Sequence, residues 1–146
     1  MIGNRLVFRL AVAQAVTNST VLVDATGLST SIAANQKVHI RFYLPFSVGA
    51  AGGLKFQIVG PAAPTNVQTG IVIFDTVTPA VISGQQTSST AFSNALAVAG
   101  SHYGWVECDW NNGSTAGNIG LQIAQNSSNG TPFTLLQGAW MEVTKL

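Results

Sequence analysis

Catalysis by protein side chains needs a nucleophile beside a base, two placed carboxylates, or a cluster of metal ligands. This chain of 146 residues holds two histidines, five carboxylates and one thiol, so candidates are few. Glu107 and Asp109 are two residues apart, which on a strand puts both on one face, as a carboxylate pair would need. Ion pairing toward Arg9 or Arg41 is the role expected of them. His39 and His102 lie outside any ligand-like spacing and read as polar surface or interface residues. Asp24 and Asp75 fall at strand ends beside turns, where carboxylates commonly accept bonds from backbone N–H groups. Cys108 stands alone, which excludes an internal disulfide and any multi-cysteine metal site. Its neighbours follow a strand pattern, so a buried structural thiol is expected. The Gly-Ala-Ala-Gly-Gly run at 49–53 is not a phosphate loop, because no Gly-Lys-Ser/Thr follows it. Four Asn-x-Ser/Thr sequons (Asn18, Asn112, Asn126, Asn129) fit a chain rich in turns, and no glycosylation is read from them. No catalytic, cofactor-binding or metal-binding residue is assigned; the chain reads as a non-enzyme.

Composition narrows the partners. Charged residues make up 8% of the chain, against roughly 25% in an average soluble domain. Ser, Thr, Asn, Gln, Gly and Ala fill the deficit, a mix that is polar without being charged. A formal charge of +1, without a run of Lys or Arg, argues against an electrostatic nucleic-acid binder. No apolar run reaches the ~18 residues of a membrane span. The N-terminal MIGNRLVFRLAVAQAV has two arginines and an Ala-x-Ala, as signal peptides do. Arg9 and Gln14 break its apolar part, so it reads as mature structure made in a cytoplasm. The length suits one domain, residues 1–146, around one core.

The elements that must position these residues are strands. Period-2 alternation predicts them over Arg5 to Ala13, Ser19 to Ala25, Lys37 to Phe46, Leu54 to Val59, Tyr103 to Trp110, Gly117 to Gln125 and a terminal stretch from Phe133 to Leu146. Thr26-Gly27 should break the second of these. Val67 to Phe74 is apolar on both faces near its end, as in a strand covered on both sides. Thr76 to Gln86 holds Pro79 and Gly84 and reads as a short edge strand. Ser88 to Gly100 is Ala/Ser-rich and reads as a strand rather than a helical turn. Eight to ten short antiparallel strands, with turn signals about every ten residues, indicate an all-β sandwich or barrel, and their number with this length favours a jelly-roll β-sandwich.

Four strands can be phased by asking which face holds the aliphatics. Inward then lie Leu6, Phe8 and Leu10; Val38, Ile40, Phe42 and Leu44; Val106, Cys108 and Trp110; and Ala139, Met141 and Val143. The opposite face collects Arg5, Arg9, Lys37, His39, Arg41, Tyr43, Tyr103, Trp105, Glu107, Asp109, Trp140 and Glu142. Seven of the chain's eleven charged residues fall there, with large aromatics among them. A merely solvated face would not gather two tryptophans and two tyrosines. Aromatics and Arg are the residues enriched at protein interfaces. The expectation is a subunit interface built on Arg9, Arg41, Tyr43, Trp105, Glu107, Trp140 and Glu142, with Arg9 or Arg41 paired to Glu107 or Glu142 of a neighbouring copy.

Two stretches carry a resemblance. NSTVLVDATGLSTSIAANQKVHIRFYLPFSVGAAGGLKFQIVGP, followed by GNIGLQIAQNSSNGTPFTLLQGAWMEVTKL, resembles a module of tailed-bacteriophage structural proteins. Its marks are a VTGLS…A turn, a Y/F-x-F strand, a GGLK…GP hairpin and an LQ-x-AQN…T-x-L-x-G-S-x-L-x-V ending. Counterparts of these marks lie over residues 18–146, with Ala25 where the turn has Val, Met141 where the ending has Leu, and Ala139-Trp140 where it more often has Ser-Tyr. These are turn and packing signatures. The ending is also similar to tumour-necrosis-factor-like jelly rolls and the complement-type globular head, trimers whose first and last strands lie beside the three-fold axis.

The resemblance implies a virion structural protein: a head decoration or cementing protein, a homotrimer bound to the major capsid protein on the capsid surface, assembled in the host cytoplasm. The chain reads as a complete module from Met1, without a fibre shaft, which favours that reading. The alternative is a carbohydrate- or receptor-binding tip or adaptor of a tail fibre or spike, bound to tail proteins. Its sugar would sit on the Asn-rich loops 111–118 and 126–131, with Trp110 as the nearest aromatic. A cellular trimeric signalling domain is a third reading, weakened by the lack of a signal peptide and of disulfides.

Overall fold

Alternation along β4 (Lys37–Val48) drives Val38, Ile40, Phe42, Leu44, Phe46 and Val48 to one side, and all six are buried in the computed structural model. The structure describes residues 4–49, 51–75, 80–87, 89–94 and 99–146. Two neighbours hold β4 by antiparallel ladders, β9 (Gly100–Asn111) on one side and β12 (Trp140–Lys145) on the other. Their own alternations bury Val106, Cys108 and Trp110, and Met141 and Val143. The inward set read from the sequence is therefore the core face. Leu6 and Phe8 are only half-buried, because their strand, β1 (Asn4–Arg9), is an edge with β12 as its one partner in the sheet.

The remaining strands are β2 (Gln14–Val16), β3 (Val23–Ile32), β5 (Leu54–Val59), β6 (Asn66–Asp75), β7 (Ala80–Gln86), β8 (Phe92–Asn94), β10 (Gly117–Ala124) and β11 (Phe133–Leu135). One sheet runs β1-β12-β4-β9-β6-β7, with β11 joining β2 to β4; the other runs β3-β10-β5-β8. Each strand of the first half pairs antiparallel with its counterpart counted from the other end: β1 with β12, β2 with β11, β3 with β10, β4 with β9, β5 with β8, β6 with β7. The chain is thus one long hairpin of paired strands, rolled so that from the β2–β11 pair onward successive pairs alternate between the two sheets. That is a jelly-roll β-sandwich. Leu28 and Ile32, Leu54, Phe56 and Ile58, and Ile119, Leu121 and Ile123 of the smaller sheet complete the core. Each such side chain taken out of water contributes about 1.5–3 kcal/mol.

The described residues hold twelve strands, more than the eight to ten expected, for local reasons. The first predicted strand, Arg5 to Ala13, stops at Arg9 as β1 and an unpredicted strand, β2, follows it, while the terminal stretch splits into β11 and β12. They break together because they are partners: the N–H of Leu10 donates to the Ala139 carbonyl, and that of Gly138 (φ +94°) to the Leu10 carbonyl. Val12, in phase with the core by sequence, lies beyond this bend and is 75% exposed. Thr26-Gly27 does not end a strand. Gly27 takes φ +77° inside β3, and the ladder to β10 shifts register between Gly120 and Gln122, as a β-bulge does. β6 is covered on one face only, leaving Gly70 exposed and Val72 and Phe74 half-exposed on the other. The expected edge strand is β7; residues 76–79 lie outside the described residues. Of the stretch from Ser88 to Gly100, only β8 and the first residue of β9 are strand among the described residues, which exclude 88 and 95–98.

The two Asn-rich loops are tied to the body. Gln125 is fully buried and its amide makes four hydrogen bonds. Oε1 accepts from the backbone N–H of Ser19 and of Asn129, both at 3.1 Å. Nε2 donates to the carbonyls of Asn129 (2.9 Å) and Thr131 (2.8 Å). Buried Asn112 donates through Nδ2 to the carbonyls of Ala33 (2.7 Å) and Thr115 (2.8 Å).

Candidate functional site

The register of the larger sheet turns its outward face into rows that cross the strands. One row runs Arg5, Thr144, His39, Asp109, Gln68. The next runs Val7, Glu142, Arg41, Glu107, Gly70, Gln85, and the third Arg9, Trp140, Tyr43, Trp105, Val72, Ser83. The fourth runs Pro45, Tyr103, Phe74, Val81. The face is therefore divided along the strands. Its ion pairs occupy the first two rows, with Val7 at one edge, and its aromatic side chains the last two, with Arg9 at their edge.

All seven residues named for the interface stand on this face. In the charged half the pairs close within the chain. Arg41 Nε meets Glu107 Oε1 at 2.9 Å, His39 Nδ1 meets Asp109 Oδ1 at 2.7 Å, and Arg5 pairs with Glu142. The carboxylates expected to reach a neighbour's arginine thus already hold partners of their own chain. Exposed pairs of this kind are worth about 0–1 kcal/mol each. The aromatic half is a connected cluster. Tyr43 lies 5.0 Å from Trp105 and 6.3 Å from both Tyr103 and Trp140; Trp105 meets Trp140 edge-on at 5.6 Å; Phe74 stacks on Tyr103 at 4.9 Å. Trp105 is 36% exposed and Val81 63%, so this apolar half meets solvent in the isolated chain.

A groove of about 590 Å³ crosses the margin of the face where the two halves meet. Trp105, Val72 and Phe74 line one part of it; Arg41, Glu107, Ser83 and Gln85 line another. Gly70 forms its floor, and a Cβ built there would meet no atom within 4 Å. Sequence reasoning missed Gly70, Val72, Phe74, Val81, Ser83 and Gln85. The signal was present, since 70, 72 and 74 alternate in phase, but no rule told which of two apolar sides faced out.

Other chemistry-bearing residues fall elsewhere. His102 is buried rather than on a surface: it shares the inward parity of Val106 and Cys108, packs at 5.6 Å from Phe46, and has Nδ1 3.3 Å from Asp75 Oδ1. Asp75, last in β6, is buried with it. Asp24 accepts from the side-chain amide of Gln122 at 2.8 Å on the neighbouring strand, rather than from a turn. Trp110 is 1% exposed, and the loops it was to serve are pinned as above, so they offer no aromatic platform. Cys108 is buried, and burial is the main cause that raises its thiol to about 11. Among the described residues no three His, Cys, Asp or Glu side chains lie close enough to hold a metal ion. No helix among them is long and apolar enough to cross a membrane.

No protein-family model and no curated protein matches the chain. Among solved structures it is similar to the infectious bursal disease virus VP2 subviral particle, at TM-score 0.29 and 11% identity, over 98% of this chain and 41% of that one. The structure of the Gx strain of the same virus gives TM-score 0.24 and 10% identity, over 97% of this chain and 35% of that one. The chain spans about two fifths of the length of those proteins. At this level the likeness carries no argument about role.

Proposed function

We propose that this protein is a non-enzymatic structural component of a virus particle, a decoration or cementing protein that sits on a tailed-phage head as a homotrimer. The observation that carries the reading is the divided face of the larger sheet. Its three carboxylates Glu107, Asp109 and Glu142 are paired within the chain, while a contiguous aromatic half stays open to solvent. Covering Trp140 and Tyr43 with a second copy removes apolar area from water. A chain with 8% charged residues also carries little net repulsion between copies. The resemblance to phage structural modules points the same way. The mechanism is mechanical: many copies bridge neighbouring capsid subunits and stabilise the shell against internal genome pressure.

Two measurements test this. Light scattering on the purified protein is expected to return a trimer mass, and Trp140→Asp a monomer that keeps its fold, since Trp140 is only half-buried. A wild-type monomer, or an unchanged mass for the variant, defeats the interface. Quantitative mass spectrometry of particles then fixes the location. Copies in simple ratio to the major capsid protein support the head; a handful support the tail-fibre tip or adaptor; none defeats both.

A further inference from the structure

We infer that the groove floored by Gly70 binds a neutral saccharide. Its volume of about 590 Å³ lies within the ~300–1,000 Å³ of small-ligand sites. A smaller polar recess of about 200 Å³ shares Gly70, Gln85 and Glu107 with it and extends toward Gln68, His39 and Asp109, so the trough is long rather than round. Trp105 is braced from behind by Tyr43 and Trp140, at 5.0 and 5.6 Å, and fixed in orientation before any ligand arrives. An indole so held, beside Val72 and Phe74, offers a flat apolar platform.

The polar wall narrows the ligand class. Among the described residues, Arg41 and Glu107 are the only charged ones lining the larger groove, and they pair at 2.9 Å. A nucleic acid or anionic ligand needs a surplus of cations, and an aliphatic ligand would leave this wall without partners. What the wall presents is balanced hydrogen bonding: acceptors on Glu107, donors on Arg41, and both on Gln85 and Ser83. A pyranose has the complementary pair of properties, a C–H face to lie on the indole and hydroxyls that donate and accept. The groove lies toward β6 and β7, at the opposite margin from Trp140 and β1. An interface centred on Trp140 and Tyr43 leaves it at the rim, and both a decoration protein and a tail tip can carry it.

The test is a printed panel of neutral and acidic oligosaccharides, followed by titration of ¹⁵N-labelled protein with the strongest neutral binder. The indole N–H resonance of Trp105, assigned with Trp105→Phe, is expected to shift while that of buried Trp110 stays. Gly70→Gln fills the floor without a clash at Cβ; it should keep the oligomer mass and weaken binding by about tenfold or more. Gln85→Ala, at an exposed position of an edge strand, should weaken it in the same sense and serves if the first variant does not fold. The inference is overturned if the panel returns no neutral binder or only acidic ones, or if the folded variants bind as tightly as wild type. A monomer that binds saccharide defeats only the interface; a trimer that binds none defeats only the groove.

Discussion

Cys108 shows how far one residue can be argued. Its burial was legible in the alternation of Val106, Cys108 and Trp110, and the structure adds the electrostatics. Burial raises the thiol from 9.0 to about 11, a hydrogen bond with the Thr69 side chain opposes the shift, and the charge of Asp109 adds to it. Between those two values the unfolded chain loses the proton while the folded one keeps it. Stability from this group is full below pH 9 and falls as pH rises toward 11, by roughly 2 kcal/mol. Urea midpoints at pH 7.5 and 10.5 should drop further for wild type than for Cys108→Ala, because other groups titrate alike in both. Equal drops would remove the thiol as the cause. The partners of Arg41 and Glu142 were not legible: alternation put both signs on one face, but cross-strand register chose Glu107 and Arg5 of the same chain.

At the scale of elements, one substitution has opposite consequences in two strand environments. Gly60 follows β5 and lies against the buried Trp110 of β9. A Cβ there would come within 2.4 Å of the indole Cζ2 and 2.8 Å of Cε2 and Cη2. At Gly70 it would meet nothing. Gly60→Ala should therefore cost about 1–3 kcal/mol through overpacking. Gly70→Ala should be neutral or gain about 0.5–1 kcal/mol from the stiffer unfolded chain. Denaturant unfolding of the two variants reads both values, and equal midpoints would contradict the contact. The sequence alone does not show what Gly60 must admit, because that residue lies fifty positions away on another strand. The same limit explains Gly27. A glycine in a strand pattern ends it or bulges it, and only pairing with β10 decides which.

For the whole molecule, nested pairing makes the two ends mutually dependent. β12 lies between β1 and β4, so removing residues 140–146 strips Met141 and Val143 from the core and unpairs two ladders at once. That truncation should abolish the cooperative unfolding transition seen by near-ultraviolet circular dichroism. A variant that still unfolds cooperatively, with a native-like near-ultraviolet spectrum, would mean the roll closes without its last strand.

The sequence by itself determined the fold class, the inward residues of four strands and the gathering of aromatics and charges on one outward face. Each rests on a period of two, which is local and fixes which residues share a strand face whatever the arrangement of strands. Tertiary structure alone decided that Arg5, Arg41 and His39 find their carboxylates at home, that Val72 and Phe74 join the aromatic half, and that Gly70 opens a groove beside Trp105. Alternation tells which way a side chain points but not what stands beside it. That depends on which strands are neighbours and in what register, and these are set by closure of the roll over its core.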